Sequence, residues 1–327
     1  MTGCMVDPLT GSLRMAAKLA GAQVEPQVSA IPGVSATTWL LRQRNALLDW
    51  MFYDVAALTP QERAKVAEPS LVAGAILVLS PSGGRAPQYY PSIEDLAISV
   101  DRHVRVATLA GVGSSALGAA ALARNVADAV GEPVLTIISD YTVMDAMAEA
   151  MGGWLYFETA RRLSDPARLG DRTLLQSGRD VDTLASMLAD SRFDLRLLIG
   201  HSKGGASISN ALYRQLRLAR QEDAPDLDYS RLIITLGGAV VMPKGHTVID
   251  VLGDFDALGW FNSDPRATIE RRQPMAGHHT NTLAPAHLNV RDVVAKVLGD
   301  LAENECWALG STPGPRFLLP EAAQAVD

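Results

Sequence analysis

The sequence predicts an α/β fold, in which a mainly parallel β-sheet is covered by helices on both faces. Between about residues 71 and 302, short apolar runs alternate with helical patterns of roughly 10–15 residues, which is typical of strand–helix–strand units. Composition agrees, because 48% of the 327 residues are apolar and can bury a large core. A mainly disordered chain is excluded.

Each element follows from a local pattern. Short apolar runs that end in Gly, Ser or Asp predict strands at 74–79, 104–110, 133–138, 195–199, 232–236 and 247–252. Apolar residues on one face of a helix, or a run rich in alanine, predict helices at 116–130, 180–191, 206–220 and 289–301. No internal repeat is found.

Two apolar segments lie outside the predicted sheet. We expect a helical N-terminal extension over 1–70, an α/β domain over 71–302 with an insertion at about 142–175, and a C-terminal tail over 303–327. The aromatic stretch at 37–58 and the Met-rich insertion either pack on the core or form a lid or an apolar wall for a substrate. The candidate substrate-contacting residues are Trp39, Trp50, Phe52, Met144, Met147 and Trp154.

Charge and cysteine content exclude several classes of function. The net charge is −7 and there is no basic block, so we expect no nucleic-acid partner. Cys4 and Cys306 lack zinc-type spacing, and no other pattern indicates a metal. The longest apolar stretch, at 71–79, is far short of the roughly 20 residues of a membrane span. With no secretory signal visible, we expect a cytoplasmic protein; the sequence does not indicate its oligomeric state.

The sharpest motif is Gly-His-Ser-Lys-Gly at 200–204, which fits G-x-S-x-G and lies between an apolar strand and an amphipathic helix. A serine on such a tight turn projects its Oγ above the sheet, and the crowding requires glycine on both sides. Ser202 is therefore the candidate nucleophile. The backbone N–H of Lys203, at the positive end of the following helix, is a candidate donor to an oxyanion.

With these residues the chain resembles the α/β-hydrolase superfamily of lipases, esterases and thioesterases, over about residues 71–302. The resemblance implies that a catalytic acid and then a histidine follow the serine in chain order. It also implies a second oxyanion donor from the glycine-rich loop after an earlier strand. The candidates in that loop are Gly111, Val112, Gly113 and Ser114.

The acid and the base are assigned by the same resemblance. Asp256 follows Gly253 in a Gly-x-x-Asp pattern at a strand end, and Asp254 is its rival. His278 lies in a Gly-His turn before the closing helix. Its rivals are His279 and His287. A carboxylate is needed to hold the imidazole in the correct tautomer.

A second motif points to a different chemistry. Gly111 to Ala116 fits G-x-G-x-x-A after a strand and before a helix, and Asp140 ends the next predicted strand. That pattern is typical of a dinucleotide-binding unit. It leaves the serine motif and the later Asp and His turns without a role, whereas the hydrolase interpretation uses all of them.

We therefore expect a serine hydrolase that cleaves a carboxylic ester through a Ser-His-Asp triad, without a cofactor. Its substrate would be a small-molecule or lipid-like ester with an apolar acyl group. Three alternatives stay open: a thioesterase or acyltransferase with the same triad, a dinucleotide-binding oxidoreductase that uses Gly111–Ala116, and a non-catalytic binding protein with the same fold.

Overall fold

The computed structural model describes residues 48–67, 71–111, 113–139, 178–221 and 230–303. Within this part of the chain, eight strands form one sheet. In chain order they are β1 (Ile76–Leu79), β2 (Gln88–Tyr90), β3 (Val106–Leu109), β4 (Val134–Ile137), β5 (Leu197–His201), β6 (Leu232–Leu236), β7 (Thr247–Gly253) and β8 (Arg271–Gln273).

The sheet has the order β2-β1-β4-β3-β5-β6-β7-β8. Strand β1 runs antiparallel to both of its neighbours, and the five other described pairings are parallel. The prediction of a mainly parallel sheet is confirmed. Because β3, β5, β6 and β7 are parallel neighbours, the loops that follow them meet at one edge of the sheet.

Helices cover both faces of this sheet. They are α1 (Pro60–Val66), α2 (Ile93–Ala97), α3 (Ala116–Val130), α4 (Arg179–Ala189), α5 (Lys203–Gln221), α6 (Ala257–Phe261) and α7 (Val290–Glu303). Helices α3 and α7 share one buried apolar cluster with the sheet, and α4 and α5 share the other. Side chains alternate between the two clusters along each strand: Leu77 belongs to the first and Val78 to the second.

Beyond shifts of one or two residues at element ends, the sequence prediction misses the short helices α2 and α6 and differs in three further elements. Strands β2 and β8 were not predicted, because each has only three residues and neither is an apolar run. Helix α5 begins at Lys203 rather than at Ala206, since the helix follows the serine turn directly. The first three residues, Lys203 to Gly205, have no apolar side chains on one helix face, so apolar periodicity does not predict that they are helical.

The described part of the N-terminal extension packs on the α/β domain. Residues 48–52 are helical, and a 3₁₀ turn follows at Val55–Ala57. Tyr53, Val55 and Leu58 are buried in the same cluster as α3 and α7. The predicted insertion at 142–175 lies outside the described residues, as do Trp39, Val112 and Asp140 and the chain beyond residue 303.

Candidate active site

Ser202 lies in the turn between β5 and α5, with a backbone φ of +53°. A residue other than glycine rarely adopts this left-handed conformation, and such strain is often found at functional sites. The turn is tightly packed. A Cβ added at Gly200 would overlap the backbone of Gly205, and one added at Gly204 would overlap the carbonyl oxygen of Leu109. Both flanking positions therefore require glycine, as the motif predicts.

The end of β6 lies between this turn and the later loops. The backbone N–H of Ser202 donates to the carbonyl oxygen of Leu236 at 2.8 Å. The next residue, Gly237, is so close to the histidine loop that an added Cβ would lie 3.1 Å from His278 Nδ1 and 3.2 Å from Asp256 Oδ2. The structure thus brings Ser202, Asp256 and His278 together around one turn.

Asp256 and His278 form a pair in which the carboxylate is buried and the imidazole is partly buried. His278 Nδ1 lies 2.8 Å from Oδ1 and 3.0 Å from Oδ2 of Asp256, whose side chain is 0% exposed. The N–H of Gly259 also donates to Oδ1, at 2.6 Å, which makes Asp256 the N-cap of α6. Since a carboxylate only accepts hydrogen bonds, Nδ1 carries the proton and Nε2 is left as the basic nitrogen.

The rival residues have other partners. Asp254 forms an ion pair with Arg272, 3.1 Å from its Nε. His279 Nε2 lies 3.0 Å from the carbonyl oxygen of Pro285, and His287 Nδ1 lies 2.9 Å from that of Ala284. Of the three candidate histidines, only His278 meets a carboxylate within the described residues.

The candidate oxyanion loop follows β3 and lies beside the serine. A Cβ added at Gly111 would come within 3.1 Å of Ser202 Cβ. The amide of Gly111 already donates to Tyr53 Oη at 2.6 Å, and Ser114 N–H donates to the carbonyl oxygen of Gly111 at 3.3 Å. Gly113, with φ of +71°, has no acceptor for its amide among the described residues. Val112 lies outside them.

The N-terminus of α3 is occupied by the carboxyl group of Asp49. This side chain is 0% exposed and accepts from the backbone N–H of Ser115 at 3.1 and 3.2 Å and from the Ser115 hydroxyl. Burial raises the pKa of Asp49 to about 7. A dinucleotide pyrophosphate would bind at this helix end. Because Asp49 fills that place, the structure does not favour the dinucleotide interpretation of Gly111–Ala116.

Two of the candidate substrate-contacting residues are described. Phe52 is half-buried, and its ring meets that of His278 edge to face at a centroid separation of 6.2 Å. Trp50 instead packs under the guanidinium of Arg63, 5.4 Å from the ring centroid. Met144, Met147 and Trp154 lie outside the described residues.

Sequence reasoning missed the contribution of Asp49 and Tyr53. Both side chains are buried, and both hold the loop that starts at Gly111. Their spacing of four residues places them on one face of a helical segment. This pattern, two hydrogen-bonding side chains on one face of an otherwise apolar stretch, was the signal in the sequence that these residues have buried polar partners. The aromatic content of the stretch instead suggested a core helix or a lid.

Two other types of site, a metal centre and a membrane span, are not formed by the described residues. No group of three His, Cys, Asp or Glu side chains there could hold a metal ion. None of the helices in that part of the chain is long and apolar enough to cross a membrane.

No protein-family model and no curated protein matches the chain. Among solved structures, it is similar to a hyperthermophilic esterase from the archaeon Pyrobaculum calidifontis, with 12% identity, 82% of this chain and 98% of that chain covered, and a TM-score of 0.36. A hormone-sensitive lipase from a metagenome library has 10% identity, coverage of 91% and 99%, and a TM-score of 0.35. The thermostable carboxylesterase EstE1, from a metagenomic library, has 12% identity, coverage of 82% and 92%, and a TM-score of 0.32.

Such low identities and TM-scores do not bear on activity, and the strand order is the stronger observation. The antiparallel β1, the parallel run from β4 to β8 and the serine turn after β5 together define the fold. The chain has the fold of the α/β-hydrolase superfamily.

Proposed function

We propose that this protein is a serine hydrolase that cleaves carboxylic esters with an apolar acyl group. The observation that carries the proposal is the hydrogen-bonded pair of the buried Asp256 and His278 beside the strained turn of Ser202. A binding protein without catalysis has no need to bury a carboxylate against one nitrogen of an imidazole, because ion burial is costly.

In the proposed reaction, Ser202 Oγ attacks the acyl carbon while His278 Nε2 takes its proton. Asp256 holds Nδ1–H and stabilises the imidazolium ion that results. His278 then protonates the leaving alcohol, and the acyl-enzyme remains. Water attacks this ester with His278 again as base, which releases the carboxylic acid and returns the proton to Ser202.

The oxyanion is proposed to accept two backbone hydrogen bonds. One is from Lys203, the first residue of α5, where the helix end favours negative charge. The other is from the loop at 111–114. In that loop the amides of Gly111 and Ser114 are engaged by Tyr53 and by the carbonyl oxygen of Gly111, so Gly113, whose amide has no acceptor among the described residues, is the candidate donor. Each such donor is typically worth about 3 kcal/mol in the transition state.

The apolar acyl preference rests on Phe52, whose ring borders the imidazole of His278. An apolar surface next to the reacting centre favours an aliphatic acyl chain over a charged one. Thioesters and acyl transfer would use the same groups, and no described residue favours either over ester hydrolysis.

The proposal is tested by hydrolysis of p-nitrophenyl esters from acetate to laurate. We expect turnover by the wild type, best with the longer aliphatic acyl groups, and a loss of about 10³-fold or more in Ser202→Ala and His278→Gln. His279→Gln and His287→Gln are matched controls, which should retain activity within about tenfold. Full activity in Ser202→Ala, or no turnover of any ester by the wild type, would overturn the proposal.

A further inference from the structure

Two hydrogen bonds meet at the hydroxyl of Tyr53, a side chain that is 3% exposed. The N–H of Gly111 lies 2.6 Å from Tyr53 Oη, and His201 Nδ1 lies 3.0 Å from it. A backbone N–H can only donate, so the hydroxyl oxygen accepts from Gly111. The single proton of the hydroxyl is then available for His201.

The other side of His201 fixes the direction of this second bond. His201 Nε2 lies 2.9 Å from the carbonyl oxygen of His278. A carbonyl only accepts, so Nε2 carries the hydrogen and Nδ1 has a lone pair for the hydroxyl of Tyr53. Burial lowers the pKa of His201 to about 3, which keeps the ring neutral near pH 7. Tyr53 also stays protonated, because burial raises its pKa.

The result is a hydrogen-bonded chain in which every bond runs in the same direction. It starts at Gly111, the first residue of the candidate oxyanion loop, and passes through Tyr53. From there it passes through His201, the neighbour of Ser202 in the strained turn, and ends at the backbone of His278. It thus joins the three loops that carry the candidate oxyanion site, nucleophile and base.

We propose that Tyr53 and His201 are positioning residues, which set the distance between the oxyanion loop, the serine turn and the histidine loop. This inference rests on the proposed hydrolase function. Neither residue takes part in proton transfer: both nitrogens of His201 are engaged, and its ring is 1% exposed. The two residues act through Gly111 and His278.

The segment that carries Tyr53 is held at other points as well. Asp49 accepts from Ser115, and the carbonyl oxygen of Phe52 accepts from both Thr280 N–H at 2.7 Å and Thr280 Oγ1 at 3.0 Å. Removing the Tyr53 hydroxyl alone should therefore leave the segment docked. The expected effect is a local loss of alignment rather than unfolding.

The first test compares Tyr53→Phe with Tyr90→Phe. Tyr90 is a matched control, because it lies on the edge strand β2 and its hydroxyl donates to Asp101 at 2.5 Å, far along the sheet from Ser202. We expect Tyr53→Phe to lower kcat for a p-nitrophenyl ester by about tenfold, equal to about 1.4 kcal/mol of barrier, with KM changed by less than about twofold. Tyr90→Phe should not change kcat.

The second test uses His201. Glutamine can still donate to the carbonyl of His278 and accept from Tyr53, whereas leucine can do neither. We expect His201→Gln to restore most of the kcat that His201→Leu loses, and both variants to keep the acidic limb of the kcat/KM pH profile, since neither substitution replaces the proposed general base, His278. Loss of that limb in His201→Gln, or equal kcat in Tyr53→Phe and Tyr90→Phe, would overturn the proposal.

An NMR measurement keeps this inference separate from the proposed function. In the wild type, imidazole ¹⁵N shifts should report His201 as the neutral Nε2–H tautomer, and the Gly111 amide should exchange slowly. Tyr53→Phe should accelerate exchange at Gly111. A Nδ1–H tautomer, or unchanged exchange in Tyr53→Phe, would refute the hydrogen-bonded chain even if no ester is hydrolysed. Absent esterase activity with these signals intact would refute the hydrolase proposal instead.

Discussion

Replacement of Asp256 by asparagine is the most informative single change in the candidate triad. Asparagine has nearly the same shape and is as good an N-cap as aspartate, so the bond from Gly259 N–H and the start of α6 should persist. What changes is the charge and the group presented to His278. Gly259 fixes an oxygen at the Oδ1 position, which places the NH₂ group at the Oδ2 position, 3.0 Å from His278 Nδ1.

The oxygen kept at Oδ1, 2.8 Å from Nδ1, can still accept its hydrogen, but the NH₂ group is a donor that competes for the lone pair of Nδ1. This competition favours the tautomer with the proton on Nε2, which cannot act as a base toward Ser202. The negative charge that would stabilise the imidazolium ion is also lost, in a position that is 0% exposed and therefore unscreened by solvent. We expect kcat to fall by about 10⁴-fold, which corresponds to about 5 kcal/mol of barrier.

The assay is hydrolysis of a p-nitrophenyl ester across a range of pH, with urea denaturation as a check on folding. Asp254→Asn is the matched control, because Asp254 lies two residues away and pairs with the exposed Arg272. It should retain kcat within about threefold. A loss of less than tenfold in a folded Asp256→Asn protein, or equal losses in the two variants, would refute the assignment of Asp256 to His278.

Two further predictions concern stability. Burial raises the pKa of Asp49 to about 7, against about 4 in the unfolded chain, so between these values the folded state holds a proton that the unfolded state has lost, and stability falls as the pH rises. Asp49→Asn should therefore remove about 2 kcal/mol of the decline in unfolding free energy between about pH 5 and pH 7, as measured by urea denaturation; parallel curves for variant and wild type would contradict this. Gly204→Ala should lower the unfolding free energy by about 3 kcal/mol, because its Cβ would overlap the carbonyl oxygen of Leu109. Gly299→Ala, which has open space in α7, should instead gain about 0.5–1 kcal/mol, and equal effects of the two substitutions would contradict the packing argument.

Much of the fold could be predicted because the central strands are buried on both faces. Such strands appear in the sequence as continuous apolar runs, and β6 begins and ends where predicted, at Leu232 and Leu236. Helix α3, which follows an N-cap serine and ends at a glycine with φ of +72°, also matches its prediction from Ala116 to Val130. The edge strands β2 and β8 have no such pattern, because their pairing is decided by neighbours distant in the chain.

The candidate site shows the same limit. A local motif indicates Ser202, since the strand, the turn and the helix are contiguous in the sequence. The local pattern around Tyr53 does not identify its partners, because Gly111 and His201 are 58 and 148 residues away along the chain. Contacts of this kind depend on the packing of the whole sheet. For the same reason, the sequence left three histidines as candidates for the base.

The central claim is that Ser202 is an activated nucleophile, and a covalent label tests it most directly. The wild type and Ser202→Ala are incubated with a fluorophosphonate, digested, and analysed by mass spectrometry. We expect a single phosphonyl adduct on the wild-type peptide that contains Ser202, formed more slowly in Asp256→Asn, and none at that peptide in Ser202→Ala. Equal labelling of the wild type and Ser202→Ala, or no adduct on the wild type, would contradict the account.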